Sequence, residues 1–311
     1  MQKHTRREFI TRTSLAGAAT VVSKNSFAMM LHNLAASSNV KLGYAAITWG
    51  EDHIKFLEDV TSLGYKWIQL RNYLMNTYKD KPVEFQKILK RYKVKMAMYS
   101  LGNADINTGD DEAVLKELMQ QAKFLKAIGG NYAMVTNNSR PKDGQPPTRE
   151  QLITYAKLIT ELGRRTSAIG VTLTYHNHME QLGETPEEVD LILEHADEKY
   201  VKVLLDIGHY AAGGGDSVKF IDNYRNRIKC LHIKDVKSPS PDTPDKSGSY
   251  KFLPLGEGQV DIPAVFSALK RVNFNGWALV ELDYVPNISV SPYQTAVINH
   301  KYLTQKLKLR V

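Results

Sequence analysis

Two histidines separated by one residue end an apolar run in the sequence TYHNHME, which begins at Thr174. Side chains alternate across a β-strand, so His176 and His178 would share one face while Asn177 points to the other. Imidazole binds transition metals and also exchanges protons near neutral pH. His176 lies deeper and is therefore a candidate metal ligand. His178 lies one step nearer to solvent and is a candidate for proton transfer or substrate contact.

Three later apolar runs end in residues of the same kind. LLDIGHY presents Asp206 with His209 three residues later, LHIKD presents His232, and LVELD presents Glu281. The gaps that follow His176 are 30, 26 and 49 residues, and each can hold one strand–helix unit. If the runs are consecutive strands of a barrel, their carboxyl ends meet at one mouth. A His/Asp/His/Glu set with mixed N and O ligands suits Mn, Co, Zn or Fe rather than Ca.

Three further residues near these strand ends are candidates for substrate contact. Lys234 shares a strand face with His232, although a solvated surface lysine is the alternative. His209 is a candidate catalytic or substrate-binding residue, and the alternative is a residue that only caps the following helix. Trp49 ends the first predicted strand and is included as a substrate contact. A single residue of this type is more often structural, so the recurrence over four runs carries the prediction of a metal site.

From about residue 39 the sequence alternates between short β-rich runs and longer amphipathic segments. This alternation predicts a parallel sheet, and eight units predict a single-domain α/β fold, the closed (β/α)8 TIM barrel, over residues 36–311. The predicted strands are 40–49, 65–70, 94–100, 132–136, 171–176, 201–206, 228–233 and 277–282. The predicted helices include 51–63, 82–92, 111–127, 148–169, 185–196, 217–223 and 262–271.

Glycine follows several predicted helices immediately before a strand. Gly64, Gly129 and Gly170 each occupy the position where a helix commonly ends in a left-handed residue. These turns are predicted to be structural and to lie at the amino end of the barrel.

The connection 236–261, which contains SPSPDTPDKSGS and LPLGEGQVD, is rich in turn residues and is predicted to be a loop. A loop of this length in a compact domain is usually functional or disordered. Because it follows the seventh strand, it is expected on the active-site face as a lid or a substrate wall, with disorder as the alternative.

The composition is that of an ordinary globular protein, with 42% hydrophobic and 24% charged residues among 311. The single cysteine, Cys230, excludes an internal disulfide. Half of the net charge of +8 falls within residues 1–35. The rest of the chain has no cluster of Lys and Arg interleaved with aromatic residues, so nucleic-acid binding is not expected.

Residues 1–35 are typical of a Tat-type signal peptide followed by a short linker. Arg6 and Arg7 precede a weakly apolar run over residues 14–22, and Ser26-Phe27-Ala28 offers small residues for cleavage. The pattern predicts export to the periplasm; a basic N-terminus without targeting function is the alternative. The run is too short to span a bilayer as a permanent helix. The oligomeric state is left open, a homo-oligomer included.

The motifs YHNH, LLDIGH, LHIKD, PLGEGQVD and LVELD together resemble the xylose-isomerase-like TIM-barrel superfamily, which includes the sugar phosphate isomerase/epimerase family. The resemblance covers about residues 40–305 and is strongest over strands five to eight. It implies one divalent metal, with His176, Asp206, His232 and Glu281 as the ligands by position. It also implies that His209 contacts substrate and that Glu257 of the GEG turn lies near the mouth.

The sequence departs from the resemblance at two positions. Ketose epimerases of the superfamily have Glu on strand five, where this chain has His176. Many relatives have Glu on strand two, where this chain has Gln69. Because two glutamates move the proton between the two substrate faces in those epimerases, the loss of one argues against two-face epimerisation and leaves elimination open.

The first function hypothesis is a metal-dependent sugar isomerase or epimerase. It would remove a proton beside a sugar carbonyl, with a divalent metal stabilising the enediolate and Glu281, His178 or His209 handling the proton. The second is a lyase or dehydratase acting on an oxidised (3-keto) sugar or glycoside. The third is a sugar-binding barrel without catalysis. The expected ligand in every case is a small sugar or glycoside.

Overall fold

The computed structural model describes residues 39–238, 250–285 and 289–311. Within these residues eight parallel strands close into a barrel, each hydrogen-bonded to two neighbours. In barrel order they are β1 (Lys41–Ala45), β2 (Trp67–Arg71), β3 (Lys95–Asn103), β4 (Tyr132–Thr136), β5 (Thr172–His176), β6 (Val201–Asp206), β7 (Ile228–Ile233) and β10 (Trp277–Val280). Two short strands, β8 (Asp235–Lys237) and β9 (Lys251–Leu253), form a separate antiparallel hairpin after β7.

Helices surround the barrel and bury their apolar faces against the strands. They are α1 (His53–Ser62), α2 (Leu74–Tyr78), α3 (Pro82–Arg91), α4 (Asp111–Ala127), α5 (Arg149–Ala168), α6 (Pro186–His195), α7 (Ile207–Ala212), α8 (Ser217–Tyr224), α9 (Ile262–Arg271) and α10 (Pro292–Lys301). Several begin at a side chain that accepts a backbone N–H, including the capping boxes of Thr148 with Gln151 and Ser291 with Gln294. None of the helices in the described ranges is long and apolar enough to cross a membrane.

Small and medium apolar side chains fill the interior of the barrel, so that it is a packed core and not a pore. These side chains include Met98, Met134, Leu204, Cys230 and Leu279, and the rings of Trp67, Tyr132 and Trp277 pack with them at the amino end. Closure at β1 requires a glycine, because a Cβ on Gly43 would lie 2.4 Å from the carbonyl oxygen of Trp67.

The predicted strands are all present in the predicted order, but the first strand ends earlier than predicted. The strand β1 stops at Ala45, and a 3-10 helix over Ile47–Trp49 replaces the last part of the predicted strand. Contacts with distant residues stabilise this turn: Thr48 Oγ1 donates to the carbonyl oxygen of Leu282, and Trp49 Nε1 donates to Asp59.

The glycines predicted to end helices have the expected backbone conformation. Their φ angles are 93° at Gly64, 92° at Gly129 and 72° at Gly170, and each precedes a barrel strand closely. These positive φ angles confirm the prediction. Residues with a Cβ adopt such angles only at an energetic cost, which is why glycine occupies these positions.

The connection 236–261 is not wholly a loop, as β8 and β9 pair through Val236 and Phe252, both of which are buried. Residues 239–249 of this connection lie outside the described residues. The predicted signal segment, residues 1–35, also lies outside them.

Candidate active site

Four side chains from four barrel strands converge at the carboxyl end of the barrel. His176, Asp206 and His232 are at or near the ends of β5, β6 and β7, and Glu281 follows β10 directly. Each offers one nitrogen or oxygen atom, these atoms all lie within 4.8 Å of one another, and all four residues are buried. The structure therefore brings together the four residues that the sequence predicts as metal ligands.

Several of these converging atoms have no hydrogen-bond partner among the described residues. They are Nδ1 of His176, Nδ1 of His232 and Oδ2 of Asp206. Nδ1 of His232 lies 2.8 Å from Oε2 of Glu281 and 3.3 Å from Oδ2 of Asp206, but neither contact has the direction of a hydrogen bond. Buried polar atoms are nearly always paired. Unpaired N and O atoms that point at one another fit a divalent metal ion.

The protonation states also fit metal binding. Burial lowers the pKa of His176 well below its usual value, so its ring is neutral and can bind a metal. Burial alone would raise the pKa of Asp206, but the charges of Lys234 and His209 outweigh it and keep this carboxylate ionised. Glu281 behaves in the same way, because His232 and Lys234 lower its pKa more than burial raises it. The site is thus rich in negative charge.

Neighbouring amides orient the ligands. Gln69 Oε1 lies 2.8 Å from Nε2 of His232, and since this oxygen only accepts, Nε2 has a hydrogen and Nδ1 is the atom left for a metal. Burial alone would lower the pKa of His232, but Glu281 and Asp206 outweigh it and raise the pKa to about 9, so a metal would displace a proton from Nδ1.

Asn177 exchanges two hydrogen bonds with the backbone of Asp206 and so joins the ends of β5 and β6. Oδ1 of Asp206 accepts the N–H groups of Gly208 and His209, both at 2.9 Å. Oδ2 accepts no hydrogen bond and has Nζ of Lys234 as an ion-pair partner at 3.0 Å, so a metal would bind this oxygen beside the ammonium.

Lys234 is completely buried, so the alternative of a solvated surface lysine is wrong. Its Nζ lies 3.0 Å from Asp206 Oδ2, 3.0 Å from Glu281 Oε2 and 2.8 Å from Asp283 Oδ1. Burial alone would lower the pKa of Lys234, but these three carboxylates outweigh it and hold the pKa well above its usual value. The side chain of Lys234 has room here because residue 208 is a glycine. A Cβ at Gly208 would lie 2.8 Å from Cγ of Lys234.

A second cluster lies beside the first and consists of His178, His209 and Asp283. The rings of His178 and His209 stack with centroids 3.7 Å apart, and Nε2 of His209 lies 3.3 Å from Oδ2 of Asp283. Three such residues could hold a cation. Here Nζ of Lys234 already supplies positive charge, because it lies 3.0 Å from Nε2 of His209 and also contacts Asp283.

His178 has the properties of a proton acceptor. Its Nδ1 lies 2.6 Å from the carbonyl oxygen of Met179, which only accepts, so the hydrogen is on Nδ1 and Nε2 has the lone pair. Burial, followed by the nearby His209 and Lys234, lowers the pKa of His178 to about 4. The ring is therefore neutral at ordinary pH, and it lines the mouth of the barrel.

The hairpin β8–β9 lies beside the site, on the face where the sequence predicted a lid or wall. Phe252 contacts the ring of His209 edge-on at 4.6 Å and lies 5.2 Å from Nζ of Lys234. Asp235 anchors the following turn by accepting the N–H groups of Gly256, Gly258 and Val260 at 2.9 to 3.0 Å. The GEG motif is thus the backbone partner of a buried carboxylate.

A cavity of about 250 Å³ lies at the candidate metal site and is lined by two of the four candidate ligands, His176 and Glu281. His176, His178, Glu281 and Asp283 form one side of it. The opposite side, which we call the β2–β4 wall, is formed by residues at or just past the ends of β2, β3 and β4: Gln69, Arg71, Ser100, Asn103, Thr136 and Asn138. Apart from Gln69, the sequence analysis missed this wall. The signal that could have found it is the one used for the later strands, a polar residue where an apolar strand ends.

Of the five residues predicted to contact substrate, only His178 lines this cavity. Lys234 and His209 do not line it, but both contact the lining residue Asp283. Trp49 is packed in the core, with edge contacts to Tyr44 and Phe56 and its Nε1 bonded to Asp59. Glu257 is exposed on the turn after β9. Substrate contact by Trp49 and Glu257 therefore has no support from this cavity and stays a prediction.

Comparison with known proteins identifies the family. Residues 57–301 match the family model described as xylose isomerase-like TIM barrel. This chain belongs to that family. The resemblance seen in the strand-end motifs and the predicted barrel are therefore confirmed.

The chain is similar to family relatives and solved structures over most of its length. It is 27% identical over 303 residues to a protein of Clostridium perfringens named inosose dehydratase, with 88% of this chain and 99% of that protein covered. Among solved structures, a probable 3-DHS dehydratase, AsbF of Bacillus anthracis, has a TM-score of 0.68 at 18% identity and covers 85% and 99% of the two chains. The IOLI protein, described with a bound zinc atom, has a TM-score of 0.69 at 21% identity and covers 86% and 98%.

These names agree better with the lyase hypothesis than with the isomerase or epimerase hypothesis. The sequence analysis placed isomerisation first and elimination second, and the relatives named inosose dehydratase favour the reverse order. The solved structures at this level of identity support the fold alone.

Proposed function

We propose that this protein is a divalent-metal-dependent lyase that eliminates water, or an alcohol, from a keto sugar. The observation that carries the proposal is the buried set His176, Asp206, His232 and Glu281, whose N and O atoms converge and are in part unpaired. The names of the relatives, inosose dehydratases, support elimination from a keto sugar as the reaction class.

The four converging residues would hold the metal. When bound, the metal would supply Lewis-acid stabilisation for the negative charge that develops on the substrate carbonyl oxygen. Gln69 fixes the ring of His232, and the backbone N–H groups at Gly208 and His209 fix the carboxylate of Asp206. These contacts orient the ligands before any substrate binds.

His178 is better suited than Glu281 to take the proton. His232 and Lys234 hold Glu281 ionised, so its affinity for a proton is low. His178 is neutral, has a free Nε2 and lies outside the ligand set. Nε2 would remove the proton from the carbon beside the carbonyl, and the electron pair of that bond would form the new C=C bond. The imidazolium would return the proton to the hydroxyl on the next carbon, which leaves as water.

The other charged residues of the second cluster support this proton transfer. His209 stacks on His178 and is also in contact with Asp283 and Lys234. Negative charge at Asp283 favours the protonated ring pair, and the ammonium of Lys234 opposes it.

The test is product analysis with the purified, metal-loaded protein on an inosose and on 3-keto-glucosides. We expect an unsaturated ketone, detected by ultraviolet absorbance and NMR, and we expect a chelator to abolish its formation. His178→Asn should slow elimination by about 100-fold or more, the usual contribution of a general base, while the metal content stays unchanged. His195→Asn, on α6 and outside the site, is the matched control.

Two results would contradict the proposal. Exchange of substrate hydrogen for deuterium with a product of unchanged mass would indicate an isomerase or epimerase. Binding of the sugar with neither exchange nor product would indicate a binding protein.

A further inference from the structure

Arg71 is a partly buried cation that lines the cavity without a partner. It ends β2, two residues after Gln69, so both side chains lie on the strand face that points into the mouth. Its guanidinium makes no hydrogen bond or ion pair to any residue within the described ranges. A guanidinium has five N–H donors, which are costly to leave unused in a pocket.

Among the residues that the structure describes, the other buried or partly buried arginines are all paired. Arg227 donates to the carbonyl oxygens of Val201, Leu193 and Ala196. Arg140 forms ion pairs with Glu184 and Glu188. Both arginines therefore have a structural role that their contacts explain. Arg71 has no such contact, and the carboxylates across the cavity, Glu281 and Asp283, form no ion pair with it.

The charges around the cavity indicate what Arg71 binds. Asp206, Glu281 and Asp283 contribute three negative charges, and Lys234 and a divalent metal would together contribute three positive charges. With the metal bound, these six charges cancel. The charge of Arg71 is then unbalanced, so the metal-bound site has one excess positive charge.

We infer that Arg71 binds a carboxylate of the substrate, so that the preferred substrate class is an acidic keto sugar, one that carries a carboxylate in addition to its carbonyl. This inference rests on the proposed function and specifies its substrate. The planar guanidinium matches a carboxylate with two parallel N–H···O bonds. Asn103 and Asn138, also on the β2–β4 wall, offer amides for the neutral hydroxyl groups.

The test compares sugar acids with the sugars that differ from them only at the acid carbon. Calorimetry on the metal-loaded protein would measure the binding of D-glucuronate against D-glucose and of D-galacturonate against D-galactose. We expect at least one acid to bind about tenfold more tightly than its neutral partner, as is typical of a charge-assisted pair. Arg71→Gln should remove this preference. Arg91→Gln, an exposed position on α3, should keep it.

The inference is overturned if no acid binds more tightly than its neutral partner, or if Arg71→Gln weakens acid and neutral sugar equally. Activity and binding measured on the unsubstituted protein separate this inference from the proposed function. If the unsubstituted protein eliminates water from neutral keto sugars and binds no acid more tightly than its neutral partner, the lyase proposal stands and the acidic substrate does not. If it prefers an acid through Arg71 but forms no unsaturated ketone, the acid site stands and the lyase proposal does not.

Discussion

Lys234 is the residue on which the charge balance of the site depends. Its ammonium is fully buried and lies within 3.0 Å of three carboxylates, those of Asp206, Glu281 and Asp283. Breaking a buried ion pair by removing one partner usually costs more than the pair itself contributes, because the other charge stays buried and unpaired. Lys234 and the metal are two sources of positive charge for the same carboxylates.

We therefore expect Lys234→Met to destabilise the metal-free protein much more than the metal-loaded protein. The expected loss in free energy of unfolding for the metal-free protein is about 3–5 kcal/mol. Urea denaturation with and without chelator measures both values. Lys87→Met, at an exposed position on α3, should change neither. An equal loss in both states would show that the metal and Lys234 do not serve the same carboxylates.

The individual residues of the site were predictable to different degrees. His176, Asp206, His232 and Glu281 were found because each follows an apolar strand with the spacing of one strand–helix unit. Arg71 was missed because an arginine after a short strand is more often a solvated surface residue. Only the closure of the barrel shows that Arg71 faces a cavity.

At the scale of elements, the turn after β9 is the part of the mouth with the most specific anchoring. Asp235 is buried and accepts backbone N–H groups from Val236, Gly256, Gly258 and Val260. Gly258 is required here because a Cβ would lie 2.2 Å from Oδ1 of Asp235. The turn therefore depends on the Asp235 carboxylate in two ways. The carboxylate accepts its backbone N–H groups, and its close approach allows only glycine at position 258.

Asp235→Asn is expected to loosen this turn. The amide NH2 cannot accept, so two or more N–H groups lose their partner at a cost of about 1–3 kcal/mol for each group left buried. Hydrogen exchange at Gly256 and Gly258 should become faster, and the midpoint of thermal unfolding should fall. Asp261→Asn, which caps α9 a few residues later, is the control, since Asn caps helices as well as Asp. Unchanged exchange in Asp235→Asn would contradict the anchoring role.

Elements were predictable where local pattern decides them and not where distant contacts do. Helices α4 and α9 were predicted with their observed bounds, and β6 and β7 as well. The prediction of the first strand was wrong at Ile47–Trp49. Hydrogen bonds to Asp59 and Leu282 stabilise a 3-10 helix there, although the run is apolar. The hairpin β8–β9 was missed because its sequence is dominated by turn residues.

At the scale of the whole molecule, a metal that joins four barrel strands should act as a stabilising ligand. Ligands that bind only the folded state stabilise it in proportion to the logarithm of their concentration over Kd, about 4 kcal/mol at 1,000-fold excess. For a domain of this size that corresponds to a rise in the thermal midpoint of roughly 10 °C. Chelation should reverse the rise.

Scanning calorimetry with and without a chelator measures this effect. Asp206→Asn should abolish the difference, because it removes a ligand charge while Oδ1 can still accept the N–H groups of Gly208 and His209. Glu257→Gln should leave the difference intact, since Glu257 is exposed and outside the cavity. A midpoint that is insensitive to chelation in the unsubstituted protein would exclude the four-residue site as a metal centre.

The two sides of the mouth come from separate stretches of the chain. The residues that would bind the metal and move the proton lie between His176 and Asp283, whereas the β2–β4 wall lies between Gln69 and Asn138. Apart from Gln69, which orients the candidate ligand His232, mutations in the earlier stretch can therefore change which molecule is accepted without disturbing bond breaking. Chimeras that exchange only that stretch between relatives should have the reaction of one parent and the substrate preference of the other. Such exchanges are a modular route by which one ancestral barrel could give rise to enzymes with different substrates.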